Sequence, residues 1–553
     1  MSLLGMSAKG LTPVVLSGLG SAGLNTQSQD ATLGPEWLTE ADNVVFDFQG
    51  RIAARKGIKQ VSKIVASSIK TIGGYIKPDR TREYFGGSGA TVVKMDTTVI
   101  PHSLTTQSFS GTPQTITDSD WQWVNFNDEF WGVQDGHTPI NYDGTNWYDI
   151  DDLGAYAAPT GPTTFDPSCA LGDFGRMWYG GITEDPGTIY YSDNLIGEKL
   201  TGGAAGILNL RTVWGSDEIV GISSLEDKIV FFGKQNIVIY SGAGNPATMV
   251  LSELIRGTGL AGRDNVGTLS ADLVFLSYEG LMSLKRLTQT DGKAPIDDLS
   301  IAVRNDLARI LSTSTVSNIK SAYYMEDGII VTFMPDDQKA YVFDFATSQK
   351  IPRITVWAFT STAASPLCGL GTIDGKMYMG MTDSIAEYAG YYDVTISEST
   401  GTYGNQTVCE AAGDTWETST CWSYTNSDYS YTFQSSWLDL GNPVVSKIVK
   451  TGLFTFVGGR GATAEVFVFK DYELGSQFSH SFTLTNSGTV YLYGQPDALF
   501  GTAIYASTTG PQEYRIPLGR TGKVIRLKLV TTVSGNSSSL VNTTLLTKQG
   551  KIR

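Results

Sequence analysis

Short runs in which apolar and polar residues alternate recur along the chain from about residue 70 to residue 390. Each unit has the same order: an alternating run, a turn that contains aspartate, a run rich in aromatic residues, a small loop and a further alternating run. In the clearest unit, residues 219–222 precede the turn at Glu226 and Asp227, and residues 229–232 and 237–240 follow it. A period of two residues predicts β-strands, and closely spaced turns indicate an all-β fold.

One aspartate occupies the same place in each unit, at an average spacing of about 49 residues. These turn aspartates are Asp79, Asp128, Asp173, Asp227, Asp272, Asp327 and Asp374. A repeat of about 40–50 residues with three or four strands is typical of a β-propeller blade, which buries its faces only in a closed ring. Six copies of the repeat are clear and one is weak, so the sequence predicts six or seven blades.

The turn aspartates could in principle be catalytic carboxylates or calcium ligands. Aspartate also stabilises tight turns, because its side chain bonds to the neighbouring backbone. We interpret these residues as turn residues, since they recur in every unit and a catalytic residue need appear only once.

A helical pattern interrupts the repeat over residues 295–312. Leu299, Val303, Leu307 and Ile310 recur there at helical spacing. Packing against the propeller is the simpler role for this helix, and docking to a partner subunit is the alternative. We favour packing.

The repeat ends near residue 395, and strand-like segments follow without helices. They cover residues 445–449, 452–457, 464–470, 479–485, 490–493, 513–516, 524–533 and 541–547. This arrangement predicts a β-sandwich. We therefore divide the chain into an N-terminal arm with the first strands (1–64), a β-propeller (65–395, with the helical insert 295–312) and a β-sandwich domain (396–553).

The beginning of the chain, residues 1–30, is rich in glycine, serine and threonine and lacks the periodicity of a strand or helix. We expect this arm to be poorly packed on its own subunit and to be ordered by a neighbouring subunit or partner. Segments that fold on contact can cover large surfaces.

Composition limits the function classes. The 553 residues include 40 Lys and Arg against 55 Asp and Glu, a net charge of −15, which argues against a protein that grips DNA phosphates over a broad surface. Hydrophobic residues make up 41% of the chain, enough for sizeable cores. No stretch approaches the roughly 18 apolar residues of a membrane span, and residues 1–10 do not resemble a secretory signal.

Candidate chemistry is sparse. The four cysteines form no C-x-x-C pair and there are only three histidines, so we expect no metal, no cofactor and no catalytic set. Cys409 and Cys421, 12 residues apart, could form a disulfide or stay two reduced thiols, and the second is favoured because most intracellular cysteines stay reduced.

The G-x-G-x-x-G motif at residues 18–23 precedes no βαβ pattern, so we interpret it as a flexible glycine-rich segment and not as a dinucleotide site.

One basic cluster stands out from the acidic background. Its members are Arg51, Arg55, Lys56, Lys59 and Lys63. Such a cluster can bind an acidic partner or nucleic acid, although a solvated strand face is the simpler interpretation.

Several segments resemble the nozzle proteins of short-tailed bacteriophages, also called tail tubular protein B or tail stabilisation protein. The opening carries residues 23–26 (GLNT), residues 41–47 (ADNVVFD) and residues 50–57 (GRIAARKG). Residues 123–126 (WVNF) and residues 273–281 (LVFLSYEGL) add to the similarity, which covers about residues 20 to 390. The C-terminal domain matches only in general style.

The resemblance implies a structural virion protein, assembled in the host cytoplasm, that forms a ring at the distal end of a short tail. Members of the family are usually hexameric and dock under an adaptor ring beneath the portal. Viral DNA then passes through the channel without tight binding, and contacts with tail fibres or with a needle or plug are left open. In such a ring the basic cluster would lie away from the lumen, at a subunit or adaptor contact.

Two other classes of protein compete with this interpretation. A propeller glycan hydrolase or lyase acting on host-surface polysaccharide would need paired carboxylates that face one cleft. A scaffold propeller that binds peptides would carry Gly-His and Trp-Asp blade signatures, which the sequence lacks. We favour the non-enzymatic structural protein.

Overall fold

The computed structural model describes residues 11–269, 272–289, 298–346, 351–399, 406–417, 420–441, 444–473, 475, 478–485 and 511–549. Six short strands open the chain: β1 (Thr12–Val15), β2 (Gly23–Leu24), β3 (Trp37–Asp42), β4 (Val44–Phe46), β5 (Ile52–Ala54) and β6 (Ile58–Gln60). They precede a long run of antiparallel sheets.

Within the described residues, seven sheets form the blades of a β-propeller. Blade one contains β7 (Ile69–Ile76), β8 (Arg82–Ser88), β9 (Thr91–Asp96) and β10 (Ser103–Thr106); blade two contains β11 (Gln122–Phe126), β12 (Glu129–Gln134), β13 (His137–Tyr142) and β14 (Trp147–Asp149). Blade three contains β15 (Pro167–Asp173), β16 (Arg176–Ile182), β17 (Thr188–Tyr191) and β18 (Gly206–Asn209), and the helix α1 (Arg211–Trp214) follows it. The predicted propeller is confirmed, and it has seven blades.

The remaining blades include the one that departs from the repeat. Blade four contains β19 (Ile219–Leu225), β20 (Lys228–Gly233), β21 (Asn236–Ser241) and β22 (Val250–Arg256). Among the residues that the structure describes, blade five has three strands, β23 (Val266–Leu269), β24 (Asp272–Ser277) and β25 (Gly280–Ser283), followed by α2 (Leu284–Gln289) and α3 (Arg304–Thr313). Blade six contains β26 (Lys320–Tyr324), β27 (Ile329–Met334), β28 (Lys339–Asp344) and β29 (Arg353–Ala358), and blade seven contains β30 (Cys368–Gly371), β31 (Met377–Gly380) and β32 (Ile385–Tyr388).

The turn aspartates lie where the repeat predicts. Each lies in or beside the turn between the first and second strands of its blade, so the seven hairpins are equivalent. The carboxylates of Asp79 and Asp173 bond to the backbone of their own turns, whereas those of Asp272 and Asp327 contact Ser283 and Lys56 outside the turn. Asp79 Oδ1, for example, accepts a hydrogen bond of 2.8 Å from the backbone N–H of Thr81, and this contact and the Thr81 hydroxyl lower the pKa of Asp79.

The N-terminal strand β6 closes the propeller. It pairs with β32 as the fourth strand of blade seven, with Ile58 opposite Tyr388. The inner strand of that blade lies against blade one, where Cys368, Tyr378 and Ile69 share an apolar cluster. The ring is therefore closed by residues far apart in the sequence, and this closure was not predicted.

The predicted helix is shorter than the pattern. A 3-10 turn at Ile301–Val303 leads into α3, and the expected start at residues 295–297 lies outside the described residues. Leu307, Ile310 and Leu311 are buried in the core, so the helix packs on its own subunit as favoured above.

In the C-terminal part of the chain, the described strands belong to three sheets. They are β33 (Asp393–Glu398), β34 (Thr415–Glu417), β35 (Thr420–Ser427), β36 (Tyr429–Ser435), β37 (Lys447–Gly458), β38 (Thr463–Lys470), β39 (Phe478–Thr483), β40 (Gln512–Gly522), β41 (Ile525–Val533) and β42 (Ser538–Gln549), with the helix α4 (Gln406–Ala411). The three before β36 belong to a third sheet, whereas the strands from β36 onward belong to two packed sheets. One sheet has the order β4-β5-β42-β37-β40, with β1 also on β42, and the other runs β2-β3-β36-β41-β38-β39. The predicted β-sandwich is confirmed; the strand expected at residues 490–493 lies outside the described residues.

The expectation of a loose N-terminal arm is wrong from residue 12 onward. Thr12–Val15 pairs along β42, and Gly23 pairs with both Trp37 and Ile354. Leu16 and Leu24 are buried in the sandwich core. Local composition gave no sign of the contacts with β42 and β29, because these two strands lie more than 300 residues away in the sequence.

The two domains share one sheet. Strand β29 of blade six pairs in parallel with β2 and β3, so the sheet of blade six continues into the sandwich as ten strands. Strands β33, β35 and β34 likewise extend blade seven beyond β6. Cys409 of α4 and Cys421 of β35 form a disulfide there, against the favoured expectation of reduced thiols.

Candidate functional site

The basic cluster does not form one charged surface. Arg51 pairs with Asp47 across the β4–β5 hairpin at 2.6 Å, and the side chain of Arg55 is only 1% exposed. Lys59 is exposed. Because these cations differ in burial and in partners, we describe the contacts of each one separately.

Arg55 lies at the centre of the joint between propeller and sandwich. Its guanidinium donates two hydrogen bonds of 2.9 Å to the carboxylate of Asp393 and one of 3.0 Å to Asn43 Oδ1. The guanidinium also stacks over the ring of Tyr429, 4.2 Å from its centroid. We call Asn43, Arg55, Asp393 and Tyr429 the seam cluster.

The seam cluster connects four parts of the fold. Asn43 donates to the carbonyl of Ser430 in the sandwich and accepts from the backbone N–H of Ala358 at the end of blade six. Asp393 also accepts a 2.9 Å bond from the N–H of Ile58 in the closing strand. Asn43 adopts φ 56°, a left-handed conformation that asparagine tolerates better than most residues. Charge-assisted and bidentate bonds are strong, so this cluster fixes the joint.

Lys56 and Lys63, from the same segment as Arg55, each form an ion pair with an acid elsewhere in the subunit. Lys56 Nζ lies 2.9 Å from the hydroxyl of Tyr324 and 3.1 Å from the carboxylate of Glu326. Burial disfavours the ammonium, but these groups and Asp327 together raise the pKa of Lys56. Lys63 forms an ion pair with Glu417 of β34. Both lysines therefore bind acids of their own subunit.

A cavity of about 430 Å³ lies beside the seam. Phe46, Lys56 and Asp327 contribute to its lining, and Phe48 at its edge is 91% exposed. Burial raises the pKa of Asp327, which Lys56 only partly offsets.

The central channel of the propeller contains a second group of charges that sequence reasoning missed. We call Asp120, Arg263, Asp264 and Lys320 the channel network. Arg263 lies 3.1 Å from the carboxylates of both Asp120 and Asp264, and Lys320 binds Asp120 and lies 3.5 Å from Asp264. A cavity of about 420 Å³ lies next to these residues. A glycine-rich loop at residues 257–262 directly precedes Arg263, and it was a signal in the sequence that could have drawn attention to this position.

The channel network ties blades together. Arg263 donates to the carbonyl of Ser168 in blade three at 3.0 Å, and Lys320 of blade six donates to the carbonyl of Lys70 in blade one at 3.0 Å. Although burial opposes it, Arg263 and Lys320 lower the pKa of Asp264. An acid whose pKa is lowered by two cations is a poor proton donor at neutral pH.

The two free thiols near the channel, Cys169 and Cys368, are buried and are expected to be unreactive at neutral pH. Burial raises the pKa of Cys169 to about 12 and that of Cys368 to about 11, so neither is a thiolate at neutral pH. Among the described residues, no three His, Cys, Asp or Glu side chains come together as a metal site. In the same part of the chain no helix is long and apolar enough to cross a membrane.

No protein-family model and no curated protein matches the chain. Solved propellers resemble it in fold. The extracellular domain of a hybrid two-component system of B. thetaiotaomicron matches with a TM-score of 0.38 and 12% identity, over 63% of this chain and 42% of that one. Streptogramin B lyase matches with a TM-score of 0.39 and 10% identity, over 60% of this chain and 97% of that one. The WD40 propeller of Doa1 matches with a TM-score of 0.33 and 11% identity, over 60% of this chain and 96% of that one.

At these identities the likeness concerns the fold alone, and the match spans less than half of the two-component domain. The chain is a β-propeller protein with an attached β-sandwich.

Proposed function

We propose that this chain is a structural virion protein that forms the distal nozzle ring of a short phage tail. The ring is homo-oligomeric, with six subunits, and encloses a channel for genome retention and ejection. The proposal rests first on the resemblance of residues 20–390 to nozzle proteins described above.

The observation that carries the proposal is the seam cluster. The segment of residues 41–57, which contributes most to the resemblance, joins the two domains through Asn43 and Arg55. A subunit that closes a channel until ejection has to keep its domains in a fixed relation. A shared ten-stranded sheet and a buried bidentate ion pair supply that rigidity.

The charge balance supports passage of DNA without tight binding. Each subunit carries −15, so a ring of such subunits presents a weakly repulsive wall to phosphates. Of the five cations in the basic cluster, Lys59 is the exposed one. We propose Lys59 as the contact with a neighbouring subunit or with the adaptor ring, and we withdraw Arg55 from that role because it is buried.

The test is the mass of the native assembly, measured by native mass spectrometry at several concentrations. We expect a species of six times 59.6 kDa, alone or in the presence of the adaptor ring. Lys59→Glu should weaken assembly or docking, and Lys523→Glu, at another exposed lysine, should not. A chain that stays monomeric under both conditions would contradict the proposal.

The enzymatic alternative needs a pair of free carboxylates. In the channel, Asp120 and Asp264 are both bound to Arg263 and Lys320, which favours a structural role for them. Turnover of a host-surface glycan by the purified chain, abolished by Asp120→Asn, would establish the alternative instead.

A further inference from the structure

The cavity of about 430 Å³ beside the seam, which we call the seam cavity, lies between three parts of the fold. The β4–β5 hairpin forms one side, blade six forms the second, and Tyr388 and Tyr391 at the end of blade seven form the third. Apolar walls come from Val45, Phe46, Ala53, Ile329 and Val342. Binding pockets in proteins combine such walls with a few polar groups that fix the orientation of the occupant.

The charged side chains around the seam cavity do not balance. Three cations each have an acid close by, and the pairs are Arg51 with Asp47, Lys56 with Glu326, and Arg353 with Asp344. A fourth acid, Asp327, also lines the cavity. Among the described residues, this group therefore has four carboxylates against three cations, a net charge of −1.

Asp327 is the acid with the weakest compensation. Lys56 Nζ lies 3.8 Å from its carboxylate, compared with 3.1 Å from that of Glu326. Burial raises the pKa of Asp327, Lys56 offsets this only in part, and the charges of Glu326 and Asp344 raise it further. The side chain is still 38% exposed, so a group in the cavity can reach it. A cation that enters the seam cavity would therefore give Asp327 a favourable partner.

Aromatic rings beside the cavity already hold two cations of the chain. Lys56 Nζ lies 5.6 Å from the centroid of the Tyr388 ring. The guanidinium of Arg353 lies 4.2 Å from the centroid of the Phe46 ring. Phe46 and Tyr391 are only half-buried and line the cavity, so a further cation can contact aromatic surface there. An arginine side chain fits this combination best, because its planar guanidinium stacks on rings and binds a carboxylate through two parallel hydrogen bonds.

Phe48 lies at the mouth of the cavity, on a turn that is held by its own hydrogen bonds. Asp47 Oδ1 accepts the N–H of Gln49 at 2.9 Å and that of Arg51 at 3.0 Å, and Gly50 supplies the left-handed φ of 74°. The side chain of Phe48 is 91% exposed. An aromatic residue on a rigid support is a typical anchor of protein contacts, because little conformational freedom is lost on binding. A ligand confined to the cavity would leave Phe48 uncovered, which favours a protein segment as the occupant.

We propose that the seam cavity binds an arginine side chain of a partner protein, with the guanidinium on the carboxylate of Asp327 and an apolar neighbour of that arginine against Phe48. An anion does not fit, because the charges around the cavity are already negative in sum. An apolar side chain alone would remove water from Asp327 without replacing it, which is costly. The site lies within one subunit, so this inference does not depend on the nozzle proposal.

Two synthetic peptides test the contact on the full chain. The first, acetyl-Ala-Leu-Arg-Leu-Ala-amide, carries an arginine between apolar residues. The second has citrulline in place of the arginine, which keeps the shape and removes the charge. Binding is measured by saturation-transfer NMR with each peptide at millimolar concentrations. We expect the arginine peptide to bind about tenfold more tightly than the citrulline peptide, because only a charged donor forms a charge-assisted pair with Asp327.

Single substitutions locate the contact. Asp327→Asn should abolish the preference for the arginine peptide, and Asp227→Asn, at the equivalent turn of blade four, should leave it unchanged. Phe48→Ser should weaken the binding of both peptides severalfold, and this exposed site keeps the test independent of any effect of Asp327→Asn on folding. Lys350→Ala is a further control, because residues 347–350 lie outside the described residues.

Four results would overturn the proposal, whether or not the native ring assembles. They are no binding of the arginine peptide, equal binding of the two peptides, a preference that survives Asp327→Asn, and a preference that appears only in Lys350→Ala. A preference that is lost in Asp327→Asn and kept in Asp227→Asn supports it.

Discussion

Arg55 and Asp393, 338 positions apart in the chain, are joined by two parallel hydrogen bonds of 2.9 Å. Arg55 belongs to the segment that leaves the sandwich, and Asp393 begins the strand that extends blade seven. The pair therefore connects the two domains at the point where the chain passes between them. It also explains why Arg55, one of the basic residues near the N-terminus, does not lie on a free surface.

Arg55→Met should destabilise the whole protein. The change leaves Asp393 and Asn43 without their main partner, and breaking a buried ion pair typically costs about 3–5 kcal/mol. Because Asp393 is 33% exposed, we expect a smaller loss of about 2–3 kcal/mol in the free energy of unfolding, measured in urea. Lys59→Met, at an exposed site, should change it by less than about 0.5 kcal/mol. Equal effects of the two variants would contradict a special role for the seam cluster.

The contribution of Glu129 to the free energy of unfolding should fall as the pH rises from about 4.5 to about 7. Burial, opposed by Asn141 and reinforced by Glu198, raises the pKa of Glu129 from 4.5 to about 7. A raised carboxyl pKa contributes stability below pH 4.5 that is lost progressively up to about pH 7. Above pH 7.5, Glu129→Gln should therefore be more stable than the parent chain, by about 1–2 kcal/mol after a discount for solvent screening at this half-buried site.

The measurement is urea unfolding at pH 4.5 and pH 8. The advantage of Glu129→Gln should be confined to the higher pH, and the exposed Glu36→Gln should show no such dependence. An advantage of the same size at both values would mean that packing, and not ionisation, is responsible.

The disulfide predicts a definite thiol count. In denaturant without reductant, two of the four cysteines should react with a thiol reagent, Cys169 and Cys368, and all four should react after reduction. Replacing both Cys409 and Cys421 by serine should lower stability by about 3 kcal/mol on the chain-entropy model, because a loop of about a dozen residues is freed in the unfolded state. Four reactive thiols before reduction would show that the bond does not form.

Gly380 should tolerate no side chain. A Cβ there would lie 2.2 Å from the carbonyl oxygen of Ile69, across the boundary between blades seven and one. We expect Gly380→Ala to force these strands apart and to lower the melting temperature, at a cost of about 1–3 kcal/mol. Gly244→Ala, with no atom within 4 Å of the added Cβ, is the matched control and should leave it nearly unchanged. A melting temperature unaltered in Gly380→Ala would show that the closure of the ring is not tight.

The local pattern of the sequence determined the blades. Alternation and turn residues act over a few positions, so Asp227 and the strands around it could be placed without knowledge of any distant partner. The helix after blade five was predictable for the same reason, since Leu307 and Ile310 repeat at helical spacing.

Only the tertiary structure decided which distant segments meet. Ile58 closes blade seven opposite Tyr388, and Thr12 joins the sandwich opposite Thr547, pairings that no short window of sequence contains. The chemistry of Arg55 was decided in the same way: its charge is visible in the sequence, but its burial depends on where Asp393 arrives in the fold. Strand pairing and desolvation are both properties of contacts between distant residues, and therefore local periodicity could specify the elements of this protein but not their partners.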